Sequence, residues 1–305
     1  MGKEFELIRR ITEKFSLNSF VHVGPGDDAA VLDIEGTSIA IATDMMVENV
    51  HFKTNWLTPI ELGQRIVAQN FADIVAMSAT PIAITACVSA PSNTEPTWFE
   101  ALAVGMQAEC DLVGASVVGG DLSTSKEITI SVTALGLLSN SPVVRSGAGP
   151  DQVVALAGTL GYSAAGLACL QFGHSAPKKF VENFRVPKPP YHAGMASGTS
   201  ATAMIDISDG LISDALHIAS QSQVEIHLDA AAIAPEPELE SLASALSQEA
   251  LSWILNGGEE HSLLATFEAG RSLPEGFRPI GHTRAGTPGV YMGGILQEPN
   301  GFTHF

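Results

Sequence analysis

Ser139-Asn-Ser-Pro-Val-Val-Arg-Ser-Gly-Ala-Gly-Pro150 is the stretch on which the fold turns. Serine, glycine and proline crowd it between two apolar regions, a composition that interrupts helices and strands and marks a boundary. Upstream, Ser38–Thr43 is a short β-branched run that ends at Asp44. Thr58-Pro59 then opens a helix to about Ser78, with Thr58 as N-cap and Pro59 in the first turn. Ile82–Ser89 reads as a strand, Glu95–Val113 as a helix capped by Thr94, and Ala115–Val118 and Ile128–Leu138 as two more strands. Downstream, the strand Val153–Ala157 runs into the turn Gly158-Thr-Leu-Gly161. Ala203–Ile205, Asp209–Ser220 and Leu263–Phe267 follow as strand, helix and strand. Residues 3–15 read as an amphipathic helix with Phe5 and Ile8 on its apolar face, continued by Ile11 and Phe15. The expectation is a mixed α/β chain in two domains, 1–140 and 149–305.

Of the 305 residues, 45% are hydrophobic and 16% charged, which is the composition of a folded chain. The 33 acidic against 15 basic residues give a net charge of −18, and no basic face of the kind that binds nucleic acid can be read. Cys87, Cys110 and Cys169 are far apart and form no CxxC pair, which excludes a disulfide framework and a zinc site and fits a reducing compartment. There is neither a signal-peptide apolar core nor an uncharged run of the roughly 20 residues that a membrane span needs. A cytoplasmic chain with no membrane partner is expected.

Five segments set an aspartate against apolar sequence: Gly24-Pro-Gly-Asp27-Asp28, Ala42-Thr43-Asp44, Asn70-Phe-Ala-Asp73, Val118-Gly-Gly-Asp121 and Ile205-Asp206-Ile-Ser208-Asp209-Gly. Alone, each is an ordinary turn or helix cap, and Ser208 would cap the helix after it. Together they suggest convergence, since Asn70 and Asp73 share one helix face and Asp206 and Asp209 repeat that spacing. Carboxylates brought together repel one another and need cations, and hard oxygen ligands select Mg²⁺ or Ca²⁺. No EF-hand loop is present, and sparse acids that leave room for a polyphosphate suit Mg²⁺ better than a closed calcium cage.

Other nucleotide motifs are missing. Gly24-Pro-Gly26-Asp-Asp-Ala29 fits the G-x-G-x-x-A spacing but aims two acids where a pyrophosphate would sit, and neither G-x-x-x-x-G-K-[ST] nor H-R-D occurs. What remains is a nucleotide site built on metal, with Arg145 as the cation placed to meet a phosphate. Asn256-Gly-Gly-Glu259-Glu260-His261 is a further polar turn, and the chain closes Gly301-Phe-Thr-His-Phe305.

In order and spacing these segments resemble the thiamine-monophosphate kinase family, of the superfamily that includes aminoimidazole ribonucleotide synthetase. The matching stretches run nearly end to end: Glu4-Phe-Glu-Leu-Ile8, Gly26-Asp-Asp-Ala29, Thr43-Asp44 with Val50-His51-Phe52, Asn70-x-x-Asp73-x-x-Ala76-Met77, and Val118-Gly-Gly-Asp121. They continue through Arg145-Ser-Gly-Ala148, Ser163-Ala-Ala-Gly-Leu167, Asp206-Ile-Ser-Asp-Gly-Leu211, Gly257-Gly-Glu259 and the Gly-Phe-x-His-Phe ending.

The resemblance implies ATP-dependent phosphorylation of thiamine monophosphate to thiamine diphosphate, by direct in-line transfer with several Mg²⁺ ions. It implies metal ligands at Asp28, Thr43, Asp44, Asp73, Asp121, Asp206 and Asp209, and ATP contacts at Gly120, Asp121, Arg145 and Ser208. His51, Glu259 and Phe302 match thiamine-substrate positions, and the transfer itself would centre on Asp73, Asp121, Arg145 and Asp209. It also implies a homodimer whose N-terminal sheets form a barrel, with the metal and ATP site in the first domain and the second, α/β domain completing the nucleotide and substrate site. This chain departs from the family pattern at Ser78, at Leu122 and at Glu260-His261, where Gly, Thr and Asp-Tyr are usual. Two alternatives stay open, another ATP-dependent member of the superfamily and a non-catalytic metal-binding scaffold.

Overall fold

A computed structural model of the chain describes residues 17–174 and 177–300, together with Thr12. The helix expected over 3–15 (Thr12 apart) and Phe302 lie outside the described residues.

The first half runs β1 (Val21–Val23), β2 (Ala30–Ile34), β3 (Thr37–Val47), α1 (Pro59–Ala76), β4 (Thr80–Ala90), α2 (Pro96–Asp111), β5 (Ser116–Thr124) and β6 (Thr129–Leu138). Its strands form a six-stranded sheet in the order β1-β2-β3-β6-β4-β5. Pairing is antiparallel except between β4 and β5, which α2 connects as a crossover. Alternation along the strands gives the sheet one covered face, with Ala40, Ala42, Met46, Ile84, Val88, Ile130 and Val132 buried. Here α1 and α2 approach so closely that a Cβ on Gly63 would lie 2.2 Å from the Leu102 carbonyl oxygen, and one on Gly105 2.0 Å from that of Ile60. The other face is open, with Met45 and Cys87 exposed.

The second half runs β7 (Val153–Ala157), α3 (Tyr162–Phe172), α4 (Lys178–Arg185), α5 (Tyr191–Ala196), β8 (Ala201–Ile207), α6 (Leu211–Ser222), β9 (Glu225–Leu228), α7 (Pro237–Ala245), α8 (Ala250–Asn256), β10 (Ser262–Phe267), β11 (Phe277–Arg284), β12 (Gly289–Met292) and β13 (Ile295–Leu296). Its sheet has the order β13-β12-β9-β11-β7-β10-β8. The end of α1 joins the halves, since Val75 and Ala76 are buried in one apolar cluster with Ala155, Met204 and Leu263.

The residues 139–150 between the sheets are pinned rather than loose. The Arg145 backbone N–H donates to Asp27 Oδ2 at 3.1 Å, and Ser222 Oγ donates to the Arg145 carbonyl at 2.7 Å.

Four boundaries differ from the sequence reading, the first three because a partner supplies what local sequence lacks. β3 continues past Asp44 to Val47, since β6 pairs along its whole length. Gly119-Gly-Asp121 is not a loop but the middle of β5, held by parallel pairing to β4. The helix expected from Asp209 begins at Leu211, and Ser208 does not cap it. The Asp214 carboxylate accepts the N–H groups of Asp209 and Gly210 instead, each at 3.1 Å. Glu95, not Thr94, is the N-cap of α2, with Pro96 as its first residue and no side-chain cap bond.

Candidate active site

α1 is the spine of the site. Thr58 and Glu61 close a capping box, in which Thr58 Oγ1 accepts the Glu61 N–H at 3.2 Å and Glu61 Oε2 accepts the Thr58 N–H at 2.7 Å. Steps of four residues along the helix then set Arg65, Gln69 and Asp73 on one face. Neither Arg65 nor Gln69 was singled out from the sequence, although their four-residue spacing to Asp73 was there to read. Asn70, fully buried, uses both ends of its amide. Its Nδ2 donates to the Ile66 carbonyl at 2.8 Å, and its Oδ1 accepts the Asp44 N–H at 3.1 Å.

Asp28 from the β1–β2 loop, Asp73 from α1 and Asp206 from β8 offer carboxylate oxygens that all lie within 4.8 Å of one another. Asp44 is hydrogen-bonded to Asp73 beside them. Burial pushes Asp28 up to about 7 against the pull of Arg145, and pushes Asp44 up to about 6. Asp73 is raised well above the usual carboxylate range by burial and then by repulsion from Asp44, Asp206 and Asp28. Carboxyls held this way are poor anions by themselves and good ligands for a hard divalent ion, so the donor set fits Mg²⁺. Arg145 stands against the cluster as a cation, its Nη2 donating to Asp28 Oδ1 at 2.8 Å. Asp27, noted in the sequence only as Asp28's neighbour, anchors the Arg145 backbone.

Asp44, beside the cluster, opens onto a cavity of about 830 Å³ between the halves, with Asp209, His51, Ser208 and Glu259 also in its wall. His51 Nδ1 accepts the Val47 N–H at 3.0 Å, which leaves the hydrogen of the neutral ring on Nε2. Glu259 is held by Arg65 Nη2 at 2.7 Å, across 194 residues of sequence. Burial would raise Glu259, but Arg65 and His261 hold it down at about 2. Arg65, 1% exposed, also donates through Nη1 to the Phe184 carbonyl, and its guanidinium lies 4.3 Å over that ring.

Three sequence-predicted residues stand apart in the single chain. Thr43 Oγ1 meets Thr133 Oγ1 at 2.9 Å on the open face of the first sheet, opposite Asp44. Asp121 shares a cross-strand row with Cys87, Ser131 and Met45, on that same open face at the exposed edge. Gly120 lies in the row of Asp44 but three strands away, roughly 14 Å at the usual strand spacing. Asp28, Asp44, Asp73, Asp206, Asp209, Arg145, Ser208, His51 and Glu259 are brought to the cluster or the cavity.

Residues 26–138, which carry Asp28, Asp44 and Asp73, match the family model of AIR synthase related protein, N-terminal domain. A thiamine-monophosphate kinase of Mycobacterium tuberculosis is 40% identical over 294 residues, covering 95% of this chain and 88% of the relative. That of Corynebacterium glutamicum is 42% identical over 293 residues, covering 91% and 85%. Among solved structures, AaThiL complexed with AMPPCP and TMP superposes with a TM-score of 0.91 at 29% identity, over 99% of this chain and 97% of that one. The hydrogenase maturation protein HypE shares the fold alone, with a TM-score of 0.71 at 18% identity over 96% and 93% of the two chains. The chain belongs to the thiamine-monophosphate kinase family.

Proposed function

We propose that this chain transfers the γ-phosphoryl group of ATP to thiamine monophosphate, giving ADP and thiamine diphosphate. The observation that carries the reading is the junction of two unlike surfaces. A largely buried trio of carboxylates, Asp28, Asp73 and Asp206, adjoins a cavity whose wall holds His51 and Glu259. The relative AaThiL was solved with AMPPCP, an ATP analogue, and TMP, which fits both substrates to a cleft of this shape.

Asp28, Asp44, Asp73, Asp206 and Asp209 are the residues that would hold magnesium, which would supply positive charge against the phosphates. The chain's own groups do the rest. Arg145, fixed by Asp27 and Asp28, carries positive charge to the nucleotide phosphates, with Ser208 beside them. Glu259, kept ionised by Arg65, and His51 orient the thiamine end of the acceptor. In the transfer one P–O bond to the β-phosphate breaks and one forms to an acceptor phosphate oxygen. That oxygen is already ionised at neutral pH, so no side chain needs to remove a proton.

Thr43, Gly120 and Asp121 belong to this reading through a second copy of the chain. They lie on or beside the open apolar face of the first sheet, and a homodimer formed across it would bring one copy's β5 toward the other's site. Residues 1–140 then form the metal, ATP and dimerisation domain, and residues 149–305 complete the nucleotide and substrate site. Phe302 follows Asn300, which lines the cavity and donates its N–H to Asn256 Oδ1 at 3.2 Å. Phe302 enters this reading on its sequence match alone.

Coupled ADP release tests the proposal, with thiamine monophosphate as acceptor and with Mg²⁺ present or chelated. Mg²⁺-dependent turnover is expected. Turnover with formylglycinamidine ribonucleotide and none with thiamine monophosphate would reassign the chain within the superfamily, and turnover with neither would leave a metal-binding scaffold.

A further inference from the structure

Among the described residues, four buried side-chain atoms lack a hydrogen-bond partner: Arg65 Nε, Gln69 Oε1, Arg185 Nε and His261 Nε2. His261 differs from the others in what it spans. Its Nδ1 lies 3.0 Å from Asp206 Oδ2, and its Nε2 faces Glu259 Oε2 at 3.6 Å. One ring therefore stands between a carboxylate of the acidic trio and a carboxylate of the cavity wall. We propose that His261 is a positioning residue, which sets Asp206 toward the metal through Nδ1 and Glu259 toward the acceptor through Nε2.

The backbone is bent to achieve this. Glu259 and His261 both have left-handed φ, 62° and 52°, an unfavourable conformation for residues other than glycine that persists when the surroundings impose it. The intervening Glu260 is the anchor. Its Oε1 accepts the Ser163 N–H at 2.7 Å and its Oε2 the Thr159 hydroxyl at 2.9 Å. The His261 N–H donates to the Ile207 carbonyl at 2.9 Å and that of Glu259 to the Ser208 carbonyl at 2.8 Å, which ties the bend to the segment carrying Asp206 and Asp209. With Glu260 pinned inward, its two neighbours turn to the site side by side. The ring is 2% exposed, so neither nitrogen can exchange its carboxylate for bulk water.

The inference rests on the phosphotransfer reading for its acceptor arm, and its metal arm can be read alone. Three variants separate the two nitrogens. His261→Asn keeps an N–H where Nδ1 stands, His261→Gln keeps one where Nε2 stands, and His261→Phe keeps neither. Calorimetric titration with Mn²⁺ alone measures the metal arm, and the KM for thiamine monophosphate measures the other. Groups that hydrogen-bond a metal's carboxylates typically change metal affinity about 10- to 100-fold when removed. His261→Gln should therefore raise the Mn²⁺ Kd about tenfold while sparing KM, His261→Asn should do the reverse, and His261→Phe should lose both. Circular dichroism and melting verify folding. If the Phe variant is unfolded, the crossed pattern of Asn and Gln still decides.

Unchanged Kd and KM in a folded His261→Phe protein, or an equal fall in kcat in all three variants with Kd and KM unmoved, would overturn the proposal. A wild-type protein that binds Mn²⁺ without phosphorylating thiamine monophosphate would sink the acceptor reading and leave the Kd comparison to judge the metal arm.

Discussion

The amide of Asn70 fixes the Asp44 backbone, accepting its N–H at 3.1 Å from a helix one layer away from the strand. Asp44 is thereby held against Asp73, three residues beyond Asn70, although neither acid has a strong reason to approach the other. Asn70→Ala should leave the Asp44 N–H without its partner and cost about 1–3 kcal/mol. Urea unfolding at fixed pH measures this, and a change within error would mean that the strand alone positions Asp44.

Asp73→Asn should reduce turnover on the order of 100-fold or more, because a ligand in the acidic cluster becomes a neutral amide. The same change removes one of several repelling charges, so the melting temperature in EDTA should stay level or rise. Wild-type rates at saturating Mg²⁺ would take Asp73 out of the site.

Stability without metal should fall as pH rises. Asp28 moves from 3.8 when unfolded to about 7 when folded, and Asp44 from 3.8 to about 6. Between those values the native state binds the extra protons, so the unfolding free energy declines with pH. His261, shifted from 6.5 to about 10, adds the same sign above its unfolded value. Burial alone would lower it, but the carboxylates of Asp206 and Glu259 on either side of the ring prevail. Glu259, lowered from 4.5 to about 2, is constant in this range. Metal-free protein should thus melt lower at pH 8 than at pH 6. Asp28 contributes on the order of 1 kcal/mol per pH unit up to about pH 7 and His261 adds above 6.5, while the share of Asp44 is lost mainly below pH 6. Mg²⁺ should recover more stability at pH 8 than at pH 6. Glu109, raised to about 7 by burial, shares the sign but stands outside the cluster, so its share should persist when Mg²⁺ is added.

Arg65→Met should destabilise the protein by about 3–5 kcal/mol, since it strands Glu259 and removes the cation above Phe184. Adding Glu259→Gln should return part of that loss. A double-mutant cycle with strictly additive terms would deny that the two side chains act as a pair.

Phe302→Ala should raise KM for thiamine monophosphate more than for ATP. An equal rise for both substrates would argue against a ring contact with the thiamine end.

Much of this was legible in the chain. Thr58-Pro59 announces α1 and Val153–Ala157 announces β7, because capping chemistry and a β-branched run are local signals. Asp28, Asp73 and Asp206 could be nominated as a group because each follows or interrupts apolar sequence. Period two along β3 already sets Thr43 and Asp44 on opposite faces, a consequence seen only once the strand is known to run through both. Arg65, and the place of His261 between two carboxylates, escaped for a different reason. Their partners are distant in sequence, 194 residues away for the Arg65–Glu259 pair and 55 for His261 with Asp206, and no local pattern encodes such a meeting. The strand through Gly119-Gly-Asp121 escaped because two glycines read as a turn until a neighbouring strand is there to pair with them.

Two of the clustered acids precede residue 139 and one follows residue 150, so an ion gripped by all three is a rivet between separately wound stretches of chain. Loading that rivet should make both sheets melt as one cooperative unit. Chelation should let the halves come apart in succession, so that calorimetric traces with and without divalent ions differ in shape as well as in midpoint.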